Sequence, residues 1–297
     1  MSGASESLGR RIAGAKDLSS VVRSMKALAA SSIAQYERAV ESLHEYSRTV
    51  ELALSLCLRN SGPSERLAAR RGPTASRGAV IFGSDQGLVG RFNESLMEFA
   101  AGALAGLPGK TNHVWVIGER MRELVASSEL PSPAALPVPH SVDAISPLVS
   151  QIVIALAKTG VRGEMGEIYV FNNVPTREAG YAPRLKRLLP LDALWQRNLV
   201  ALPWPGKVLP QVLGSTATTL KALIGEHLFI SMFQACAQSL ASENASRLAA
   251  MQRAEDNIAK ILEDLSRTFH RLRQQSIDEE LFDVVSGYES VRQNPRA

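Results

Sequence analysis

The sequence has few of the features that mark secreted, membrane-spanning or zinc-binding proteins. Only two of its 297 residues are cysteine, and neither Cys57 nor Cys236 lies in a CxxC motif, which argues against a disulfide scaffold and a zinc site. The longest uncharged, apolar-leaning stretch is residues 227–242. It contains polar side chains and is shorter than the roughly 18 to 20 apolar residues of a membrane-spanning helix. The first residues also lack the apolar core of a signal peptide. We therefore expect a protein of a reducing compartment with no direct membrane insertion.

Catalytic motifs are missing as well. The five histidines are scattered, with no HExxH motif and no pair at helical spacing, so the sequence predicts no metal site. There is no GxSxG nucleophile motif, and the acidic run 278–280 has no neighbour that would fix an acid–base pair. The sequence therefore predicts neither catalytic residues nor a cofactor.

The positive charge is modest overall and concentrated near the N-terminus. The net charge is +4, whereas residues 1–80 alone contain twelve Lys or Arg and seven Asp or Glu, a local excess of five. Nucleic-acid binding requires denser charge interleaved with aromatic residues, and the first aromatic residue is Tyr36. An acidic protein partner or a plain solvated face therefore fits better. The basic positions of this segment are Arg10, Arg11, Lys16, Arg23 and Lys26.

Both ends of the chain carry the spacing of a coiled coil. Residues 15–61 contain no proline or glycine, which permits one helix of about 45 residues. Steps of three and four residues from Val22 to Cys57 select a mostly apolar seam, which we define as Val22, Met25, Ala29, Ser32, Tyr36, Ala39, Leu43, Tyr46, Val50, Ala53 and Cys57. After Pro210 a second seam follows the same steps, with Glu255 as its one charged member: Leu248, Met251, Glu255, Ile258, Leu262, Leu265, Phe269 and Leu272. The two helices are predicted to pair as an antiparallel coiled coil.

The middle of the chain has a different pattern. Short apolar runs at residues 79–82, 113–117 and 167–171 predict buried strands. They alternate with helical segments, the first capped by Asn93 and the others at residues 119–126 and 143–158, whereas the proline-rich residues 130–139 predict a loop. Alternating strands and helices favour a small parallel sheet. The predicted fold is thus an α/β domain with a shaft of the two terminal helices. Its bounds are 1–62 (N-terminal helix), 63–77 (linker), 78–195 (α/β domain), 196–210 (proline-rich connection) and 211–297 (C-terminal helix).

The glycine-rich loop from Gly83 to Gly90 has two interpretations. It joins a strand to a helix, where backbone N–H groups can bind a phosphate. However, Arg91 and Phe92 follow the last glycine where a Walker loop has lysine and a hydroxyl residue, and GxGxxG is not matched. A structural turn is the favoured interpretation. The alternatives for the whole protein are a nucleotide-binding α/β enzyme with a helical dimerisation arm, and a structural coiled-coil adaptor.

Several segments resemble the gamma subunit of F-type ATP synthases. Residues 24–31, SMKALAAS, are similar to the family's AMxMVAASK run, and residues 84–90, SDQGLVG, are similar to its SDRGLCG loop. Residues 240–251, LASENASRLAAM, resemble the first part of SEQxARMxAMxxAxxN. Residues 273–287, RQQSIDEELFDVVSG, resemble the closing RQxxITxEIxEIxxG.

The resemblance implies that the chain is a rotor subunit and not itself an enzyme. In this family the terminal helices stand inside a ring of three alpha and three beta subunits, and the α/β foot joins the epsilon subunit and the membrane c-ring. Rotation then couples ion flow to ATP synthesis or hydrolysis on the beta subunits. The resemblance places the chain on the cytoplasmic face of a bacterial inner membrane as a peripheral subunit. It also implies ring contacts, with Met25 and Lys26 beside an acidic lever of beta, and further contacts at Arg247, Arg273, Gln274 and Glu280.

The sequence also departs from the family pattern. The family threonine after Ser-Ile is Asp278 here, and the arginine and cysteine of the loop are Gln86 and Val89. The close cysteine pair of the chloroplast form is absent. These differences indicate a divergent bacterial form.

Overall fold

The computed structural model describes residues 2–60, 76–161, 166–176, 180–191, 193–208, 210–211 and 214–293. The chain divides into two compact units, Met1–Leu28 with Leu248–Ala297, and Ala29–Arg247. We call these the terminal unit and the central unit. Two long helices, α1 and α6, contribute residues to both of them. The elements in chain order are α1 (Ser2–Asn60), β1 (Arg77–Phe82), α2 (Phe92–Gly106), β2 (Thr111–Ile117), α3 (Glu119–Ala126), β3 (Ala134–Leu136), α4 (Ile145–Val161), β4 (Glu167–Thr176), β5 (Gly180–Leu189), α5 (Ala193–Val200) and α6 (Thr216–Gln293).

The central unit contains a mixed sheet of five strands in the order β3-β2-β1-β4-β5. Strands β3, β2, β1 and β4 are parallel to one another, with Val80 opposite Trp115 on one side and opposite Val170 on the other. The three predicted strands are therefore confirmed as a parallel core. Two further strands lie at the edges. β5 pairs antiparallel with β4, and β3 lies within the residues predicted as a loop.

Strand alternation explains why both faces of the sheet are covered. Successive side chains of a strand point to opposite faces, so Val80 and Phe82 pack on one side, with α4 and parts of α1 and α6. Ala79 and Ile81 pack on the other side, against α2 and α3. All four side chains are at most 1% exposed. Continuous burial on both faces is typical of parallel strands.

Within the central unit, α1 and α6 run antiparallel. Tyr36 and Ala39 of α1 pack in the same core cluster as Leu240 of α6. Further along α1, Val50 and Leu54 pack in a cluster with Leu220 and Ile230 of α6. Rising numbers on α1 thus meet falling numbers on α6. The predicted α1 seam is wrong at Tyr46, which is 45% exposed; its hydroxyl donates to Glu226 at 2.8 Å.

Within the terminal unit the same two helices also run antiparallel. Arg23 and Lys26 of α1 contact Glu255 of α6. Nearer the N-terminus of α1, Ser5 and Gly9 line a groove together with Phe269 and Leu272, which come later in α6. Every member of the predicted α6 seam is buried or half-buried, so that seam is confirmed. The predicted domain bounds stay a prediction, and residues 63–75 of the predicted linker lie outside the described part of the chain. None of the described helices is both long and apolar enough to cross a membrane.

Candidate functional site

The six predicted contact residues lie on the two long helices and differ in exposure. Met25 and Lys26 are half-buried on α1. Arg273, Gln274 and Glu280 are exposed on α6, and these five residues belong to the terminal unit. The sixth, Arg247, belongs to the central unit. The terminal unit therefore contains most of the candidate site.

Lys26 is held by a carboxylate of the opposite helix. Its Nζ donates to Oε2 of Glu255 at 2.7 Å, while Nε of Arg23 donates to Oε1 of the same side chain at 3.2 Å. We call these three residues the seam triad. Hydrogen bonds from Lys26 and then Arg23 hold the pKa of Glu255 below its ordinary value, because both favour the carboxylate. One negative charge therefore faces two positive ones.

An open groove of about 1380 Å³ lies between the N-terminal turns of α1 and the C-terminal part of α6. Arg273 and Glu280 line it together with Phe269, Leu272 and Phe282. Beyond the predicted seam, this part of α6 exposes a run of large apolar side chains, namely Ile277, Leu281, Phe282, Val284, Val285 and Tyr288. The seam predicted from the sequence ends at Leu272 and does not include this apolar surface. Its signal in the sequence is the continued spacing of apolar residues past Leu272.

Arg247 is largely buried and engaged inside the central unit. Its Nη2 donates to Glu243 Oε1 at 2.6 Å, and its Nη1 donates to Asn244 Oδ1 at 3.2 Å. The Arg247 and Glu243 side chains are only 15% and 7% exposed. Burial raises the pKa of Glu243, and the charge of Arg247 opposes that rise. In this geometry Arg247 compensates a buried carboxylate.

The glycine-rich loop is fixed by hydrogen bonds within the central unit. Asn93 does not cap α2; that prediction is wrong, because the helix begins at Phe92 and the cap position is Arg91. Instead the buried Asn93 side chain accepts from Ser84 N at 2.9 Å and donates to Ser84 Oγ at 2.8 Å. Asp85 accepts from the backbone N–H of Glu119 at 2.9 Å and of Val138 at 3.1 Å. It thereby joins the loop to α3 and to the segment after β3.

Helix α6 lies against this loop. Ser239 donates to the carbonyl of Phe82 at 3.0 Å, and Ser246 donates to the carbonyl of Val89. The carboxyl end of a parallel strand at a reversal of strand order is where open α/β sheets usually bind ligands. Here serines of α6 bond the carbonyls at the end of β1 and in the loop after it. The Gly83–Gly90 motif therefore has a structural explanation in this packing.

Metal-binding and thiol chemistry find little support in the described residues. No group of three or more His, Cys, Asp and Glu side chains there could hold a metal ion. Both cysteines are buried. Burial raises the pKa of the Cys57 and Cys236 thiols, which keeps both in the less reactive thiol form.

The chain is similar in sequence to known ATP synthase proteins over most of its length. A family model described as ATP synthase matches residues 5–291. The ATP synthase gamma chain of Brevibacillus brevis is 25% identical over 290 residues, which cover 94% of this chain and 95% of the relative. The gamma chain of a Hydrogenobaculum species is 23% identical over 283 residues, which cover 95% and 96%.

Solved structures agree in fold. One chain of the Euglena gracilis mitochondrial ATP synthase, from a structure of OSCP, F1 and c-ring in rotational state 3, superposes with a TM-score of 0.63. It is 13% identical, and the match covers 100% of this chain and 97% of that one. A chain from the rotor of the same complex gives a TM-score of 0.58 at 15% identity, covering 93% and 100%. These likenesses establish a shared fold.

Proposed function

Because this chain belongs to the ATP synthase family, we propose that it is the gamma subunit, the central-stalk rotor of an F-type ATP synthase. The observation that carries the proposal is the match to curated gamma chains over nearly the whole length, which for the Brevibacillus brevis relative covers 94% of this chain and 95% of that one. The antiparallel α1–α6 pairing within each unit supports it, because a helical shaft is what a rotor requires. The homologues found by sequence are themselves ATP synthase gamma chains.

The proposed mechanism is mechanical. The paired helices stand within a ring of three alpha and three beta subunits, and the α/β domain binds the epsilon subunit and the c-ring. An asymmetric shaft contacts the three beta subunits differently at each angle, so it favours a different set of nucleotide affinities at each angle. Differential affinity of this kind is how rotation is coupled to ATP binding and release.

In this proposal the chain contributes no catalytic residue, and ATP is made or hydrolysed on the beta subunits. The complex lies at the cytoplasmic face of a bacterial inner membrane, with this chain as a peripheral subunit. The bacterial relatives, which match 94% and 95% of this chain, support that location.

The proposed ring contacts fall into two groups. Met25, Lys26, Arg273, Gln274 and Glu280 lie on the helices of the terminal unit, half-buried or exposed, where a surrounding subunit can contact them. A charged contact that must slide benefits from long-range attraction without fixed geometry. Arg247 differs because Glu243 already engages it. We propose that Arg247 acts mainly inside the chain.

The test is co-expression with the alpha and beta subunits of the same organism, and purification through a tag on beta. We expect one copy of this chain for three alpha and three beta subunits, and ATP hydrolysis that depends on its presence. If the chain stays out of the complex and elutes alone as a folded dimer, the rotor proposal is wrong. Nucleotide binding by that dimer would favour the α/β enzyme alternative.

A further inference from the structure

A single carboxylate interrupts the apolar seam of α6. Seven of the eight seam positions are apolar, and the eighth is Glu255. Its side chain is 21% exposed and faces α1, where it receives Lys26 at 2.7 Å and Arg23 at 3.2 Å. Each carboxylate oxygen accepts from a different cation. The cost of a charge in a seam is therefore offset by two ion pairs.

The same two cations belong to a basic segment of α1. Arg10, Arg11, Lys16, Arg23 and Lys26 lie within 17 residues of α1, and a segment of this charge is complementary to an acidic protein segment. Glu255 already neutralises part of the positive charge that Lys26 and Arg23 would present to such a segment. The intramolecular carboxylate and the partner's carboxylates are therefore competitors.

We propose that Glu255 is a built-in competitor that limits how strongly Arg23 and Lys26 bind an acidic segment of a partner subunit. The identity of that partner as a ring subunit rests on the proposed function. A rotor benefits from such a limit, because a contact that must be made and broken at each turn cannot be strong in any one position. The triad keeps the attraction of the basic segment while weakening each individual bond.

The rival explanation is that Glu255 only fixes the register of α1 against α6, as buried polar residues do in coiled coils. The two explanations predict different results. If Glu255 only fixes the helix register, replacing it changes folding stability and leaves the affinity for an acidic partner unchanged. A competitor affects binding of acidic chains, and the effect depends on salt because the contact lies at a screened surface.

The first measurement uses the full chain alone and poly-L-glutamate as the probe. Glu255→Gln frees two cations, so we expect its affinity for poly-L-glutamate at low salt to rise about two- to fivefold, the range of one exposed ion pair. Glu263→Gln is the matched control, since it removes the same charge from the exposed Glu263–Arg267 pair of the same helix. The gain of Glu255→Gln must exceed the control, vanish at high salt and disappear when Lys26→Gln is added.

The second measurement uses the complex with the alpha and beta subunits. We expect Glu255→Gln to slow ATP hydrolysis at low salt about two- to fivefold, with recovery at high salt or on adding Lys26→Gln. Equal behaviour of Glu255→Gln and Glu263→Gln in either measurement overturns the proposal. So does a fall in melting temperature without tighter polyglutamate binding, which would assign Glu255 to helix register. If the wild-type chain forms no complex, the proposed function fails, whereas the polyglutamate comparison still decides the competition.

Discussion

Replacing Arg247 by alanine tests the account of the buried pair in the central unit. The substitution leaves Glu243, which is only 6% exposed, without its compensating charge. Breaking a buried pair from one side costs about 3 to 5 kcal/mol. The part of that loss due to the unpaired charge is limited, because Glu243 can become protonated instead. Relative to its ordinary pKa of 4.5, holding the carboxyl protonated costs about 1.36 kcal/mol for each pH unit above that value.

For the charge of Glu243, the expected loss in the free energy of unfolding is therefore at most about 3 kcal/mol at pH 7, and it is smaller at pH 5.5. The direction follows from linkage. In the variant the folded-state pKa of Glu243 is raised further, so the folded state binds more protons than the unfolded state above pH 4.5, and stability falls as pH rises. The assay is urea unfolding of the full chain at both pH values, followed by far-ultraviolet circular dichroism.

The matched control is Arg267→Ala, which breaks a pair of the same i,i+4 spacing on the same helix. Both of its side chains are exposed, at 71% and 62%, so we expect a loss of at most about 0.5 kcal/mol. Equal losses in the two variants at pH 7 would refute the reasoning. A loss for Arg247→Ala that did not shrink at pH 5.5 would refute the part assigned to the Glu243 charge.

Three further predictions concern the central unit. Gly118→Ala should lower the free energy of unfolding by about 1 to 3 kcal/mol. The reason is that Gly118 has φ 106° and an added Cβ would lie 2.6 Å from the carbonyl oxygen of Ser84. Thermal melting measures the loss, and Gly87→Ala at an exposed glycine is the control. Asp85→Ala should cost about 1 to 3 kcal/mol by leaving the N–H groups of Glu119 and Val138 without their acceptor, and urea unfolding that matches the wild type would contradict it. Burial, and then the charge of Lys186, lowers the pKa of His227 to about 4. The contribution of neutral His227 to folding stability should therefore be full above pH 6.5 and should fall as the pH drops from 6.5 to 4. His227→Gln should flatten this pH dependence of the melting temperature.

The spacing of apolar residues predicted the paired helices and the central strands, because coiled coils and buried strands each require a regular apolar pattern. The α6 seam holds throughout, since each member is buried or half-buried. The α1 seam fails at Tyr46, because in the central unit α1 no longer packs on one helix only. There Leu54, which lies off the seam, is fully buried in a cluster that also contains Leu199 of α5. A strict three-four step cannot follow such a change of partner.

The apolar patterns of the sequence did not predict the edge strands or the polar contacts between distant residues. Strand β5 contains Pro183 and the cations Arg184, Lys186 and Arg187, a composition that argues against a central strand and is tolerated at an edge. Asn93 has the residue type and position of a helix cap, yet tertiary contact with Ser84 determines its role. The partner of Lys26 was equally hidden, because Glu255 is 229 residues away in the chain. Such contacts depend on the fold as a whole.

The most direct test of the rotor account is to watch the chain turn. Both native cysteines are buried, so a cysteine introduced at the exposed Ala105 of α2 can be labelled selectively with a visible marker. The complex with alpha and beta subunits is then fixed to a surface through beta, and ATP is added. The account predicts continuous rotation of the marker in one direction. A marker that stays fixed while the same complexes hydrolyse ATP would contradict it.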